Sequence, residues 1–332
     1  MAGILDSFGR SINYLRISVT DRCNLRCIYC MPPEGVPRIS HSEILSYEEI
    51  ETVARAAAEL GIDKIRLTGG EPLVRAGLPQ LVQMLSQIDG IQDLSLTTNG
   101  TFLKRYAQEL KQAGLCRVNV SLDTVNRDKF RYITRLGELK DVLEGIEEAR
   151  KVGFNPVKIN TVIMRGVNDD EILDFARMTC EEGCHVRFIE LMPFKGTGDF
   201  VPAAELRQHI GSLGKLEPCL DSVGLNGNGP ATYYRLAGAG GTIGFITPRS
   251  EPSFCSRCNR LRLSPDGKLR PCLLAEDKID LKPPLRNNVP LEEIKHLILR
   301  AVACKPRRHH LAGGPGCIGV RLVKGEMSQI GG

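Results

Sequence analysis

The chain has 332 residues, 42% of them hydrophobic and 25% charged, with a net charge of +5 and no tryptophan. That balance excludes a disordered, collagen-like or membrane-embedded chain. An aromatic content of 5% argues against a base-stacking platform for nucleic acid. Twelve cysteines in a chain this long, with no apolar leader core in its first residues, suit metal or cluster chemistry better than a disulfide scaffold. The expected compartment is the reducing cytoplasm.

Short runs with β-branched residues predict strands over 14–19, 64–68, 93–97, 116–122, 157–163 and 185–191. Helical patterns lie between them. The clearest, 47–60, opens with Ser46 and Glu49 spaced as a capping box. It carries Ile50, Val53, Ala54, Ala57 and Leu60 on one face and ends at Gly61. Further helices fit 101–113, 138–151, 169–182 and a stretch near 290–303. Six strand–helix units predict a parallel sheet, as an open partial barrel or a doubly wound sheet. Residues 221–242 are rich in glycine and read as a linker or loop. The chain divides into a core over 1–220 and a C-terminal extension over 221–332.

Alternate residues of a strand share a face. One parity reads Arg16 and Ser18; Lys64, Arg66 and Thr68; Ser95 and Thr97; Asn119 and Ser121; Lys158 and Asn160; Arg187. The other is apolar throughout: Leu15, Ile17, Ile65, Leu67, Leu94, Leu96, Val118 and Val120. A parallel sheet covered on both faces should read as continuous apolar runs, so the polar parity lines either a hydrophilic cavity or a solvated face. Solvated faces mix acids with lysines, and this one has almost no acids. A cavity of converging cations suits a polyanion such as a triphosphate.

Two cysteine groups carry the chemistry. Cys23, Cys27 and Cys30 form C-x3-C-x2-C just after the first strand. Three thiolates on one loop can hold three corners of a cubane iron–sulfur cluster and leave one iron open to an exogenous ligand. A zinc knot would want a fourth ligand nearby, and neither a cysteine nor a histidine is there. Cys255, Cys258 and Cys272 form C-x2-C-x13-C, again three thiols, although a distant Cys304, Cys317 or histidine leaves zinc open here. Arg260 and Arg262 follow and point the same way on an extended segment. The remaining cysteines, 116, 180, 184, 219, 304 and 317, have no motif spacing and read mostly as packing. Lys305, Arg307 and Arg308 read as a solvated or dimer-facing patch.

The loop Cys23, Cys27, Tyr29, Cys30, followed after the second strand by Gly69-Gly70-Glu71-Pro72, resembles the radical S-adenosylmethionine enzymes. The resemblance implies a partial (β/α)6 TIM-like barrel. It also implies a [4Fe–4S] cluster chelated by S-adenosylmethionine and a 5′-deoxyadenosyl radical. With the second cysteine group, Arg260–Arg262, Arg-Phe-Ile-Glu at 187–190 and the terminal Gly331-Gly332, the whole chain from about Leu15 resembles the twin-cluster family that cyclises GTP in molybdenum cofactor (molybdopterin) biosynthesis. That family abstracts the ribose 3′ hydrogen and joins the carbon radical to guanine C8, giving (8S)-3′,8-cyclo-7,8-dihydroguanosine 5′-triphosphate.

The resemblance implies GTP contacts from Arg16, Arg66, Thr97, Lys158 and Arg260-Leu261-Arg262; strand parity adds Lys64 and Arg187. It implies S-adenosylmethionine contacts from Tyr29, Gly69, Gly70, Glu71, Ser121 and Met192, a second [4Fe–4S] cluster on Cys255, Cys258 and Cys272, and catalytic parts for Arg16, Arg260, Arg262, Gly331 and Gly332. The implied partners are an electron donor and the next enzyme of the pathway. A homodimer is compatible, and neither membrane nor nucleic acid is expected. The rival readings are a twin-cluster peptide modifier and a non-enzymatic iron–sulfur or zinc protein.

Overall fold

In the computed structural model, which describes residues 3–193, 200–219 and 229–309, all six predicted strands form. They are β1 (Tyr14–Ser18), β2 (Lys64–Thr68), β3 (Asp93–Thr98), β4 (Arg117–Ser121), β5 (Val157–Ile163) and β6 (His185–Glu190). They lie side by side in chain order and are parallel throughout. Six further strands extend the sheet: β7 (Leu216–Pro218), β8 (Thr232–Leu236), β9 (Thr242–Ile246), β10 (Arg260–Leu263), β11 (Lys268–Arg270) and β12 (Ile279–Asp280). The full order is β12-β11-β10-β1-β2-β3-β4-β5-β6-β9-β8-β7. β10 joins β1 and β9 joins β6 in parallel, so eight consecutive strands pair in parallel, two more than the six expected. Beyond them, at both edges, the pairings are antiparallel. The sheet therefore runs continuously across position 220, and both edges of the six-strand core are completed by residues beyond it.

The helices are α1 (Tyr47–Glu59), α2 (Leu78–Ser86), α3 (Leu103–Gln112), α4 (Arg127–Thr134), α5 (Leu139–Lys151), α6 (Ile172–Glu181), α7 (Ala203–Ile210), α8 (Lys282–Arg286) and α9 (Leu291–Ala303). Ser46 and Glu49 make both bonds of the capping box. The predicted helix 169–182 begins as a 3-10 turn over Asp169–Glu171. α2, α4, α7 and α8 were not anticipated, and the glycine-rich stretch 221–242 contains β8. None of the helices among the described residues is long and apolar enough to cross a membrane.

The apolar parity packs against the helices. Ile17, Ile65, Leu67, Leu96, Val118 and Val120 share one fully buried cluster with Val53, Ala54 and Ala57 of α1. At the β6–β9 edge, Phe188 stacks on Phe245 at 5.9 Å and meets Phe175 edge-on at 6.5 Å. The polar parity is also covered: Ser95, Asn119 and Lys158 are at most 2% exposed, so this face is not solvated. Phe188→Ala removes the ring joining α6 to β9 and is expected to destabilise the chain by about 3–5 kcal/mol. The midpoint of urea unfolding, followed by circular dichroism, checks this.

Candidate active site

The register of the parallel strands sets cationic side chains abreast. Arg262 of β10 pairs with Arg16 of β1, and Arg16 pairs with Arg66 of β2. One row further, Asn119, Lys158 and His185 are neighbours across β4, β5 and β6. Arg187 donates to the side-chain oxygen of Asn119. Burial, then the charge of Arg262, pushes the Arg16 guanidinium well below its usual value. Burial, then Arg260, lowers Arg262 to about 10. Burial, then Arg187, lowers the Lys158 amine to about 6. Like charges this close disfavour one another's charged form.

One cavity of about 330 Å³ is lined by this floor and by both cysteine groups. That volume lies in the range of small-molecule sites. Among the described residues Arg16, Arg66, Arg187, Arg260, Arg262 and Lys305 face it, against two carboxylates, Glu71 and Asp123. The Tyr14 hydroxyl, Thr97 Oγ1, Lys158 Nζ and Asn160 Oδ1 are buried and have no hydrogen-bond partner among the described residues. Buried polar atoms are ordinarily satisfied, so a surplus of them beside a cationic floor suits a polar, anionic ligand.

The first cysteine group sits on the loop leaving β1, at the carboxyl ends of the strands, where parallel sheets bind ligands. α4 holds this loop. Arg26 N donates to Thr134 O and Ile28 N to Ile133 O, both at 2.9 Å, and Arg135 reaches the carbonyls of Arg26 and Met31. The Gly-Gly-Glu-Pro turn after β2 holds its other side: Gly70 N donates to Thr20 O at 2.7 Å and Glu71 N to Arg22 O at 2.8 Å. A Cβ on Gly70 would lie 2.4 Å from Arg22 O, so the close approach demands glycine. The Glu71 carboxylate accepts from Leu73 N, Thr98 Oγ1 and Asn99 N. Burial nonetheless raises its pKa to about 7. With those acceptors occupied, Glu71 shapes the turn. The Tyr29 hydroxyl donates to Asp123 at 2.7 Å, and burial raises Asp123 to about 6.

The second group comes from two stretches. Cys255 and Cys258 flank the end of a 3-10 turn over Pro252–Arg257, and Cys272 follows β11. All six thiols line the same cavity, and no described cysteine is in a disulfide. Among the described residues, no three His, Cys, Asp or Glu side chains gather closely enough for a single metal ion. A cubane spreads its thiolates over separate irons, and three thiols facing a cavity fit that demand at each group.

Of the residues singled out from the sequence, Arg16, Arg66, Thr97, Arg187, Arg260 and Arg262 line the cavity, as do Tyr29, Gly69, Gly70, Glu71, Ser121 and Met192. Lys158 is buried behind the wall, its Nζ 5.3 Å from the Tyr233 ring centroid. Lys64 does not line the cavity; it lies at the start of β2, beside Asp63 at 3.9 Å. Leu261 does not either: it pairs with Leu15 and is fully buried in the apolar core, because its parity is opposite to that of Arg260 and Arg262. Gly331 and Gly332 lie outside the described residues. Lys305 departs from the expected solvated patch, being 3% exposed, while Arg307 and Arg308 are exposed. Of the unmotifed cysteines, Cys184 is buried, but Cys116, Cys180 and Cys304 are exposed, against the packing role expected for most. Cys317 is outside the described residues. Asn160, placed on the polar parity by the sequence, also lines the cavity, as do Tyr14, Asn99 and Asp123, which were missed. Tyr14 shares the parity of Arg16, and Asp123 lies two residues after the end of β4, so both had a signal.

Residues 17–179 match the Radical SAM superfamily and residues 184–311 match Molybdenum Cofactor Synthesis C. The chain is similar to proteins named GTP 3′,8-cyclase. That of Moorella thermoacetica is 54% identical over 332 residues, covering 98% of this chain and 99% of the relative. That of Pelotomaculum thermopropionicum is 54% identical with the same coverage. Among solved structures, SuiB of Streptococcus suis bound to S-adenosylmethionine superposes with a TM-score of 0.61 at 14% identity, covering 81% of this chain and 63% of that one. The enzyme titled anSMEcpe with bound AdoMet gives 0.56 at 16%, with 90% and 79% covered. At such identities the structural likeness speaks to the fold alone.

Gly70→Ala is expected to force the turn away from the cysteine loop and open residues 20–31 to trypsin. Gly211→Ala, whose Cβ would meet nothing within 4 Å, serves as control. The rate of cleavage after Arg22 and Arg26 checks this: it should rise for the first variant and stay unchanged for the second.

Proposed function

Since the chain belongs to the GTP 3′,8-cyclase family of radical S-adenosylmethionine enzymes, and so is a lyase that cyclises GTP on the route to the molybdenum cofactor, we propose that the cationic floor of its cavity holds the triphosphate while the two cysteine groups frame the nucleoside. One observation carries this reading: both cysteine groups and the arginine row line a single cavity. Cys23, Cys27 and Cys30 would ligate the family's [4Fe–4S] cluster; Cys255, Cys258 and Cys272 would ligate a second. Tyr29, the Gly69–Gly70 turn, Ser121 and Met192 would hold S-adenosylmethionine. When bound, the first cluster and S-adenosylmethionine supply a 5′-deoxyadenosyl radical.

The chain's own work is positioning. Cyclisation requires that ribose C3′ lose a hydrogen atom and then bond to guanine C8, with one electron and one proton completing an isomer of GTP. Both carbons must be held in reach of one another and away from water. Arg16, Arg66 and Arg262 sit on three adjacent strands, so their spacing is fixed by the backbone ladder rather than by flexible loops. Guanidinium groups bind phosphate oxygens in bidentate fashion. Arg187 and Thr97 extend the same surface, Lys158 lies behind it, and Arg260 sits beside the second trio, with Nη2 3.9 Å from Cys258 Sγ. An external one-electron donor and a downstream enzyme for the cyclised nucleotide follow as required partners. A reducing cytoplasm suits the free thiols.

Anaerobic incubation with S-adenosylmethionine, a reductant and GTP is expected to yield 5′-deoxyadenosine and an isomer of GTP, with the 5′-deoxyadenosine formed only when GTP is present. GTP-independent formation would overturn the substrate assignment. The double variant Arg260→Ala, Arg262→Ala is expected to lose at least a hundredfold in GTP turnover while keeping the iron of the first cluster; unchanged turnover would remove the pair from the substrate site.

Lys158 sets the pH dependence. Held down to about 6, its amine is neutral at pH 7.5. A triphosphate in the cavity in front of it favours the charged form through the wall, so binding takes up a proton and weakens as pH rises above about 6. Calorimetry of GTP binding in two buffers of different ionisation enthalpy checks this. Proton uptake is expected for the wild-type chain and a smaller uptake for Lys158→Met.

A further inference from the structure

The two cysteine groups are built differently. The first lies on one loop of eight residues, Cys23 to Cys30. The second must bring Cys255 and Cys258 together with Cys272, which lies beyond the β10–β11 hairpin. One buried cation, Lys305, bridges that gap, and a second, Arg10, bonds the Cys255 carbonyl; the proposed chemistry of the cavity does not account for either.

Lys305 follows α9, whose apolar face is buried through Ile294, Ile298, Ala301 and Val302. The helix therefore delivers Lys305 to a fixed place. Its Nζ donates to Arg260 O and to Pro271 O, each at 2.7 Å. One acceptor lies two residues after Cys258 and the other immediately before Cys272. A single ammonium thus ties the two stretches that carry the trio.

Arg10 comes from the other end of the chain. It is 9% exposed and lies in the turn of a small hairpin that pairs Ile4–Leu5 with Ser11–Ile12. Its Nε donates to Asp6 Oδ2 at 2.6 Å. Nη1 donates to Cys255 O at 2.9 Å and Arg307 O at 3.3 Å, and Nη2 to Pro306 O at 2.8 Å. Arg10 thereby fastens the Cys255 backbone to the segment that carries Lys305. Between them, the two cations hold carbonyls on both stretches of the trio and on the 305–307 segment.

We propose that Arg10 and Lys305 form a clasp that positions the second cysteine trio and supplies positive charge beside the cluster it ligates. Neither residue ligates iron; both act through the backbone that carries the ligands. The clasp rests on the reading that the second trio holds a cluster. Two effects follow. Loss of the backbone ties loosens the cluster. Loss of the Lys305 charge lowers its reduction potential, because a nearby cation favours the reduced, more negative form, and local charge and hydrogen bonding tune such potentials.

The test uses the full chain with Cys23, Cys27 and Cys30 replaced by alanine, reconstituted anaerobically, so that any cluster belongs to the second trio. Iron release to a chelator and the midpoint potential are read in this background and with Lys305→Met or Arg10→Lys added. Lys305→Met is expected to release iron at least tenfold faster and to shift the potential negative. Arg10→Lys keeps the charge but cannot span the three carbonyls; it is expected to release iron faster with the potential unmoved, and it keeps the clasp testable if Lys305→Met does not fold. Background rates of iron release in both variants, with an unchanged potential in Lys305→Met, would overturn the clasp. Absence of iron from the background chain itself would instead overturn the second cluster, and the clasp with it.

Discussion

The constraint on which the site depends is the packing of like charges on neighbouring strands of a buried parallel sheet. Adjacent strands lie about 4.8 Å apart, and Arg262, Arg16 and Arg66 are register partners on three of them. Their charges disfavour one another, and the guanidinium groups of Arg16 and Arg262 are both held below their usual value by burial first and by neighbouring arginines second. Nearly all the carboxylates that could offset this lie elsewhere, and the two that line the cavity accept hydrogen bonds from the chain itself. A surface built this way is held by its scaffold, and a polyanion relieves it.

The scaffold is stiff enough to impose that arrangement. The alternate residues of the same strands form a continuous apolar layer under α1, α3 and α5, so no arginine can move to the other face of the sheet without bringing a core residue with it. The loops at the strand ends are then fastened to one another rather than to solvent. The Gly70 turn bonds the entry to the cysteine loop, α4 bonds its middle, and Tyr29 bonds Asp123 at the end of β4. Affinity for charge and placement of thiols are in this sense one property of the sheet, since both are set by where β1, β2 and β4 end.

Much of this was legible from local pattern. The strands were readable because Leu15-Arg16-Ile17 and Lys64-Ile65-Arg66-Leu67 alternate with period two, and the same alternation in Arg260-Leu261-Arg262-Leu263 put both arginines on one face; carried one residue further it contradicts the expected GTP contact of Leu261, which belongs to the core. Ser46 and Glu49 announced α1. What stayed hidden depends on distant partners. Nothing near Thr242 or Arg260 says that these segments enter the sheet in parallel beside β6 and β1, so eight parallel strands read as six. β8 was hidden by the glycines around it. Lys305 looked solvated beside Arg307 and Arg308, because its burial arises from carbonyls 34 and 45 residues away.

The most direct measurement of the central claim is an anaerobic crystal structure of the reconstituted enzyme with GTP and S-adenosylmethionine. The account predicts both clusters in one cavity, the triphosphate against Arg16, Arg66 and Arg262, and ribose C3′ on the side of the first cluster. A nucleotide bound elsewhere, or a triphosphate turned away from the arginine row, would contradict it.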